Sequence, residues 1–183
     1  HVGDDPAHVA TNRATLCAHL PAEPLWLTQV HGIAAVNREN CPKSKEADAA
    51  FSREAGSVCV VMTADCLPVL FCDRAGTVVA AAHAGWRGLV GGVLESTIRE
   101  MAVPAGELLA WLGPAIGPTA FEVGDEVRAA FVADDAGAAP AFAPHGPGKW
   151  LADIYELARR RLRRAGVEGI YGGDLCTVSD PGR

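Results

Sequence analysis

The sequence predicts an α+β layered fold, and three observations carry that prediction. Two near-continuous apolar runs, residues 57–62 and 77–82, have the composition of strands buried on both faces. Residues 87–101 carry the clearest helical periodicity, with Leu89, Val90, Val93, Leu94, Thr97, Ile98 and Met101 on one face. Strands and helices are mixed along the chain rather than strictly alternating, which argues against a doubly wound parallel sheet.

Element by element, residues 6–20 read as a first helix, with Asp4 or Asp5 as its cap and Pro6 at its first position. Residues 25–30 read as a strand ending at His31-Gly32. The polar stretch 38–46, with Pro42, reads as a loop, and 47–51 as a short strand carrying Asp48. The strand at 57–62 is interrupted by Thr63-Ala64-Asp65-Cys66 and resumes at 68–72. Asp73-Arg74-Ala75-Gly76 then makes a turn. The strand at 77–82 ends at His83, and the long helix 87–101 follows. Residues 108–112 read as a strand closed by Gly113-Pro114, and 122–132 as a helix. Residues 134–148, rich in Ala, Gly and Pro, read as an irregular surface segment. The last helix is expected over 151–164 with Gly166 past its end, followed by one or two short strands in 168–178.

With 183 residues, 49% of them hydrophobic, the chain can bury one sizeable core, and residues 1–183 are expected to be a single domain. A net charge of −6 offers no basic surface for nucleic acid phosphates. The one basic run, Arg159, Arg160, Arg161, Arg163 and Arg164, reads as a solvated helix face. None of the six cysteines forms a C-x-x-C pair, and a reduced, cytoplasmic protein is expected. No apolar run approaches the ~18 residues of a membrane span. The chain begins at His1 rather than Met, so it reads as trimmed.

Three polar islands break the apolar pattern: Gln29-Val30-His31-Gly32, Thr63-Ala64-Asp65-Cys66, and Ala82-His83-Ala84-Gly85-Trp86-Arg87-Gly88. Each offers one imidazole or thiol at a strand end. Two nitrogens and a sulfur match an open catalytic zinc site, whose fourth position is left for water or substrate. His83 also suits a hydrogen-bonded core histidine, and Cys66 a structural buried thiol. Asp65 is a candidate catalytic group or a turn residue bonding its own backbone. Asp48, in a short strand, needs a partner if buried and is a candidate for orienting a ligand imidazole or a substrate. Arg87, with the amides at its helix start, is a candidate anion contact.

Taken together, these islands resemble the YfiH-like family, also called the laccase-domain or polyphenol oxidase family. The resemblance extends through Leu67-Pro68-Val69, Gly113-Pro114-Ala115-Ile116-Gly117 and Phe121-Glu122-Val123-Gly124. The opening His1-Val2-Gly3-Asp4-Asp5-Pro6, Val9 and Asn12-Arg13 matches too. It implies a four-layer αββα sandwich of mixed sheets and a zinc held by His31, Cys66 and His83. It also implies phosphorolysis of adenosine, inosine, guanosine and methylthioadenosine, with adenosine deaminase activity, so that purine nucleoside and phosphate are the expected partners. Against that family the chain is expected to lack a short N-terminal segment and a C-terminal stretch with serine and paired arginines. Some relatives are linked to peptidoglycan-precursor editing. The phenol-oxidase name implies copper, but laccase chemistry needs a blue-copper site plus a multi-histidine cluster, which six histidines with two in ligand-like positions supply poorly.

Two other readings remain open. Cys66 is a nucleophile with His83 as its base, oriented by Asp65 or Asp48, and no metal is needed. Alternatively the zinc is structural, closed by Cys176 as a fourth ligand.

Overall fold

An Asp-Pro step starts the first helix as predicted: the Asp5 carboxylate accepts from Ala7 N–H, and α1 spans Pro6–Cys17. The computed structural model describes residues 3–180. His1 and Val2, which belong to the matched opening, lie outside the described residues.

The expected α+β fold is present, built around a mixed six-stranded sheet. Its strands are β1 (Ala35–Asn37), β2 (Ala49–Ser52), β3 (Leu67–Asp73), β4 (Val79–Ala84), β5 (Leu108–Leu112) and β9 (Gly169–Gly172). Their spatial order is β1-β2-β4-β3-β5-β9. The outer pairs β1/β2 and β5/β9 are parallel, and the inner pairs are antiparallel. The β3–β4 hairpin at its centre turns on Asp73, whose carboxylate accepts from the Thr77 hydroxyl and the N–H groups of Thr77 and Val78. A separate antiparallel sheet joins β6 (Glu122–Gly124), β7 (Phe142–Pro144) and β8 (Lys149–Ala152) in the order β6-β8-β7.

Helix α3 (Val93–Met101) lies across β1, β2 and β4 and buries Val93, Leu94, Ile98 and Met101. A short α2 (Trp86–Gly91) precedes it, and α4 (Asp125–Asp134) covers the small sheet. Helix α5 (Ile154–Arg164) is capped by Asp153, whose carboxylate accepts from Glu156 N–H. Among the described residues no helix is long and apolar enough to cross a membrane.

Several elements differ from expectation. Residues 25–30 and 57–62 are not sheet strands. They meet through an isolated parallel bridge between Leu25 and Cys59, and residues 57–62 are half-buried rather than enclosed on both faces. The expected helix 87–101 is two helices, broken at Gly92 with φ +102°. Residues 122–124 and 151–152, read as helix starts, lie in strands β6 and β8 instead. The region 136–144, read as irregular, is a 3-10 turn running into β7. In 168–178 there is one strand, plus a bridge between Ala115 and Cys176.

The arginine run is not a uniformly solvated face. Arg161 is buried, with its guanidinium on Glu95 and Asp134, and Arg160 pairs with Asp135. Arg159 donates to the Gly172 and Gly173 carbonyls. Only Arg163 and Arg164 of this run stand largely in solvent, at 59% and 50% exposure.

Candidate metal centre

The three polar islands meet at one end of the β3–β4 hairpin. Cys66 immediately precedes β3, His83 lies near the end of β4, and these two strands pair with Pro68 opposite His83. His31 comes from a loop with no strand of its own. One donor atom from each of His31, Cys66 and His83 lies within 4.8 Å of the others. A tetrahedral ion with bonds of ~2.0–2.3 Å holds its ligands roughly 3.5 Å apart, so small side-chain adjustments would close this group on a metal. Cys66 Sγ is 4.0 Å from His31 Nε2, and the two imidazole rings meet edge to face with centroids 4.8 Å apart.

Gly85 makes room for this convergence. A Cβ there would lie 2.9 Å from Cys66 Sγ, 3.1 Å from His31 Cδ2 and 3.5 Å from His83 Nε2. All three candidate ligands thus border the hollow that glycine leaves. Gly88 serves a neighbouring close approach, since a Cβ would meet the Gly32 carbonyl at 2.8 Å. The donor set and the hollow fit a metal ion.

Asp48 is fully buried behind the group. Its Oδ1 accepts from His83 Nδ1 at 2.8 Å and from the His31 N–H at 3.0 Å. Its Oδ2 accepts from the Gly32 N–H at 2.7 Å and the Val30 N–H at 3.2 Å. Of the two expected roles, orienting a ligand imidazole and touching substrate, this placement supports the first. Burial opposes charge on both partners. For Asp48 the hydrogen bonds from His83, Gly32 and Val30 outweigh it and hold the carboxyl below its usual range. For His83 the bond to Asp48 and the contact with Cys66 outweigh it, lifting the imidazole to about 9.

The His31 backbone is left-handed, with φ +59°. That region is uncommon for residues other than glycine, although histidine enters it more readily than most. Besides Asp48, Gln29 fixes this loop: its side-chain amide donates to the Met62 carbonyl at 2.8 Å, and its oxygen accepts from the Met62 N–H at 2.7 Å.

The remaining candidates sit nearer the rim. Asp65 is exposed, and its carboxylate accepts from the Thr177 hydroxyl at 2.7 Å. Arg87 is exposed, with its guanidinium stacked 4.5 Å over the Trp86 ring. Cys176 is not brought to the group. Hydrogen bonding from the Ser179 side chain, then from the Ser179 and Gly117 N–H groups to its Sγ, lowers its thiol to about 7. Sequence reasoning assigned no role to Tyr155, whose hydroxyl accepts from Ala115 N–H and donates to the Leu175 carbonyl. Those bonds pin residues 113–117, and Ile116 N–H in turn holds the Asp65 carbonyl. A tyrosine within an amphipathic helix gives no local sign of such a role.

The whole chain, residues 1–183, matches the family described as multi-copper polyphenol oxidoreductase laccase. It is 60% identical over 183 residues to the purine nucleoside phosphorylase YfiH of Escherichia coli strain K12, covering 98% of this chain and 75% of that protein. A Pseudomonas aeruginosa protein also named a purine nucleoside phosphorylase is 56% identical over 184 residues, covering 100% of this chain and 76% of its own length. Among solved structures, Neisseria meningitidis protein NMB0706 superposes with a TM-score of 0.92 at 53% identity, covering 97% of this chain and 74% of its own. The Bacillus licheniformis protein YfiH superposes at 0.87 with 25% identity, covering the same shares. Sequence, fold and the ordered islands agree: the chain belongs to the YfiH-like, laccase-domain family.

Proposed function

We propose that this chain is a metal-dependent purine nucleoside phosphorylase, with zinc held by His31, Cys66 and His83. The observation that carries the metal is the convergence of three donors around the hollow at Gly85. The reaction class is supported by the names of relatives 60% and 56% identical to it. Adenosine, inosine, guanosine and methylthioadenosine are the proposed substrates, and deamination of adenosine is proposed at the same site. Six free cysteines suit the proposed cytoplasmic setting.

In this reading Cys66 binds as thiolate and the two histidines as neutral imidazoles, with His83 presenting Nε2 because Nδ1 is held by Asp48. When bound, zinc supplies Lewis acidity that polarises an oxygen and lowers the pKa of water towards ~7. Phosphorolysis asks the protein to align phosphate with C1′ of the ribose while the C1′–N bond to the purine breaks. Arg87, stacked on Trp86, is the proposed phosphate contact, since a planar guanidinium suits bidentate binding of that group. Asp65 stands beside Cys66 as a candidate contact for the developing positive charge on ribose.

Zinc is preferred over copper because a multi-copper centre needs more ligands than the one three-residue group among the described residues supplies. Phosphate-dependent release of hypoxanthine from inosine, measured with metal analysis, tests the proposal. Cys66→Ala is expected to lose metal and at least ~100-fold in turnover. Undiminished turnover in that variant would exclude the ligand assignment.

One arrangement favours a second reading. Asp48 orients His83, and His83 contacts Cys66, as in a cysteine hydrolase. Activity that resists chelation yet dies on alkylation of Cys66 would select it.

A further inference from the structure

We propose that Asp48 is the positioning residue of the centre, a single carboxylate that preassembles two of the three ligands before any metal arrives. The inference rests on His31, Cys66 and His83 being the ligand set. Four N–H groups converge on Asp48: those of Val30, His31 and Gly32, and His83 Nδ1. They divide evenly between the two oxygens. Only an ionised carboxylate offers acceptors on both sides; a neutral amide of the same shape offers one oxygen and turns its own N–H groups towards the other pair of donors.

The two halves of this arrangement do different things. On Oδ2 and Oδ1, the three consecutive backbone N–H groups close the loop around the left-handed His31, whose conformation would otherwise be unfavourable. On Oδ1, the bond to His83 fixes its ring so that Nε2 turns towards Cys66 and the Gly85 hollow. The backbone reinforces the link, since His83 N–H donates to the Asp48 carbonyl at 2.7 Å. Asp48 stands just before β2, which pairs with β4, so sheet formation itself delivers the carboxylate to its place. His31 and His83, 52 positions apart in sequence (83 − 31), are thereby set relative to each other by one side chain.

The test compares Asp48→Asn with Asp73→Asn. Asp73 is a second buried carboxylate that gathers N–H and O–H donors, at the other end of β3. Zinc affinity is read by competition with a chromophoric chelator, and folding of the metal-free proteins by urea denaturation. Asp48→Asn is expected to weaken zinc binding about 10–100-fold, and Asp73→Asn to leave affinity unchanged even where it lowers stability. Equal losses in both variants, or wild-type affinity in Asp48→Asn, would overturn the proposal. Nitrogen NMR of the zinc-loaded wild type gives a reading that needs no variant to fold. The His83 ring is expected to carry its proton on Nδ1 and its metal on Nε2, and the opposite arrangement refutes the proposal. A wild type without zinc, or Cys66→Ala binding it as tightly, removes the ligand set and this inference with it. Loss in Cys66→Ala alone leaves the ligand set standing and rejects only the role of Asp48.

Discussion

At the scale of single residues, the site depends as much on what is missing as on what is present. Gly85 is flanked by all three candidate ligands, and a methyl group there would sit 2.9 Å from the Cys66 sulfur. Because Cys66 and His31 are held by their own loops, they cannot both retreat without losing convergence. Gly85→Ala is therefore expected to lower zinc affinity at least ~10-fold, which equilibrium competition would show; unchanged affinity would mean the metal lies elsewhere. His83 gives a pH dependence whose sign follows from its raised pKa. Its folded value, about 9, exceeds its ordinary 6.5, so folding favours the protonated ring. That contribution is complete below pH 6.5 and is lost as pH rises through about 9. The urea midpoint of the metal-free protein should fall across this window, and Asp48→Asn should flatten the fall. A flat wild-type profile would contradict it. That His31, Cys66 and His83 are candidates was legible in the sequence because each interrupts an apolar run, and the structure brings the three together. The saturation of Asp48 was not, since the donors it collects are backbone N–H groups that sequence spacing does not reveal.

At the scale of elements, apolar runs were read well where the sheet decides and poorly where a loop does. The runs at 67–73, 79–84 and 108–112 became the central strands because each has neighbours on both edges. The run at 57–62 has similar composition but pairs only through an isolated bridge, so its apolar residues pack from a loop. Composition reports burial, and strand identity also needs a partner edge. The same limit hid the break in the long helix. Its apolar face continues through Gly92, yet Gly92 adopts φ +102° and separates α2 from α3. A helical periodicity of 3.6 residues survives such a break when both pieces face one core. The break lets α2 lie against the loop that bears His31 while α3 follows the sheet. Gly92→Ala is expected to destabilise the fold by about 1–2 kcal/mol, since an added Cβ would meet only ordinary contacts and the cost is the left-handed backbone. Urea denaturation measures it, and a stabilised variant would show that the two helices can fuse.

At the scale of the whole molecule, the large sheet is asymmetric. One face of β3 and β5 sends Leu67, Val69, Phe71, Leu108, Ala110 and Leu112 into the core. The opposite face carries Leu70, Trp111 and Tyr171, which are 43%, 44% and 58% exposed. Leu70 lies opposite Trp111, and Trp111 opposite Tyr171, so the three form one row across adjacent strands. Val79, 41% exposed, adjoins them, and together with Cys59 and Cys72 they line a shallow groove of about 570 Å³. Contiguous apolar rows of this kind are unusual on a free surface, whereas isolated exposed apolar side chains are common. The row is remote in role from the candidate centre: Cys66 precedes β3 and His83 lies near the end of β4, the strand of Val79, but the row's side chains point away from the core. Replacing Trp111 with Lys should consequently leave zinc affinity unchanged and shift stability by only about 0.5 kcal/mol. The same change should cut binding of an environment-sensitive apolar dye several-fold, as read by fluorescence titration of the native chain. Dye binding that ignores Trp111→Lys would show that this face is covered in solution, and a parallel loss of zinc would show that the face and the metal centre are coupled through the hairpin.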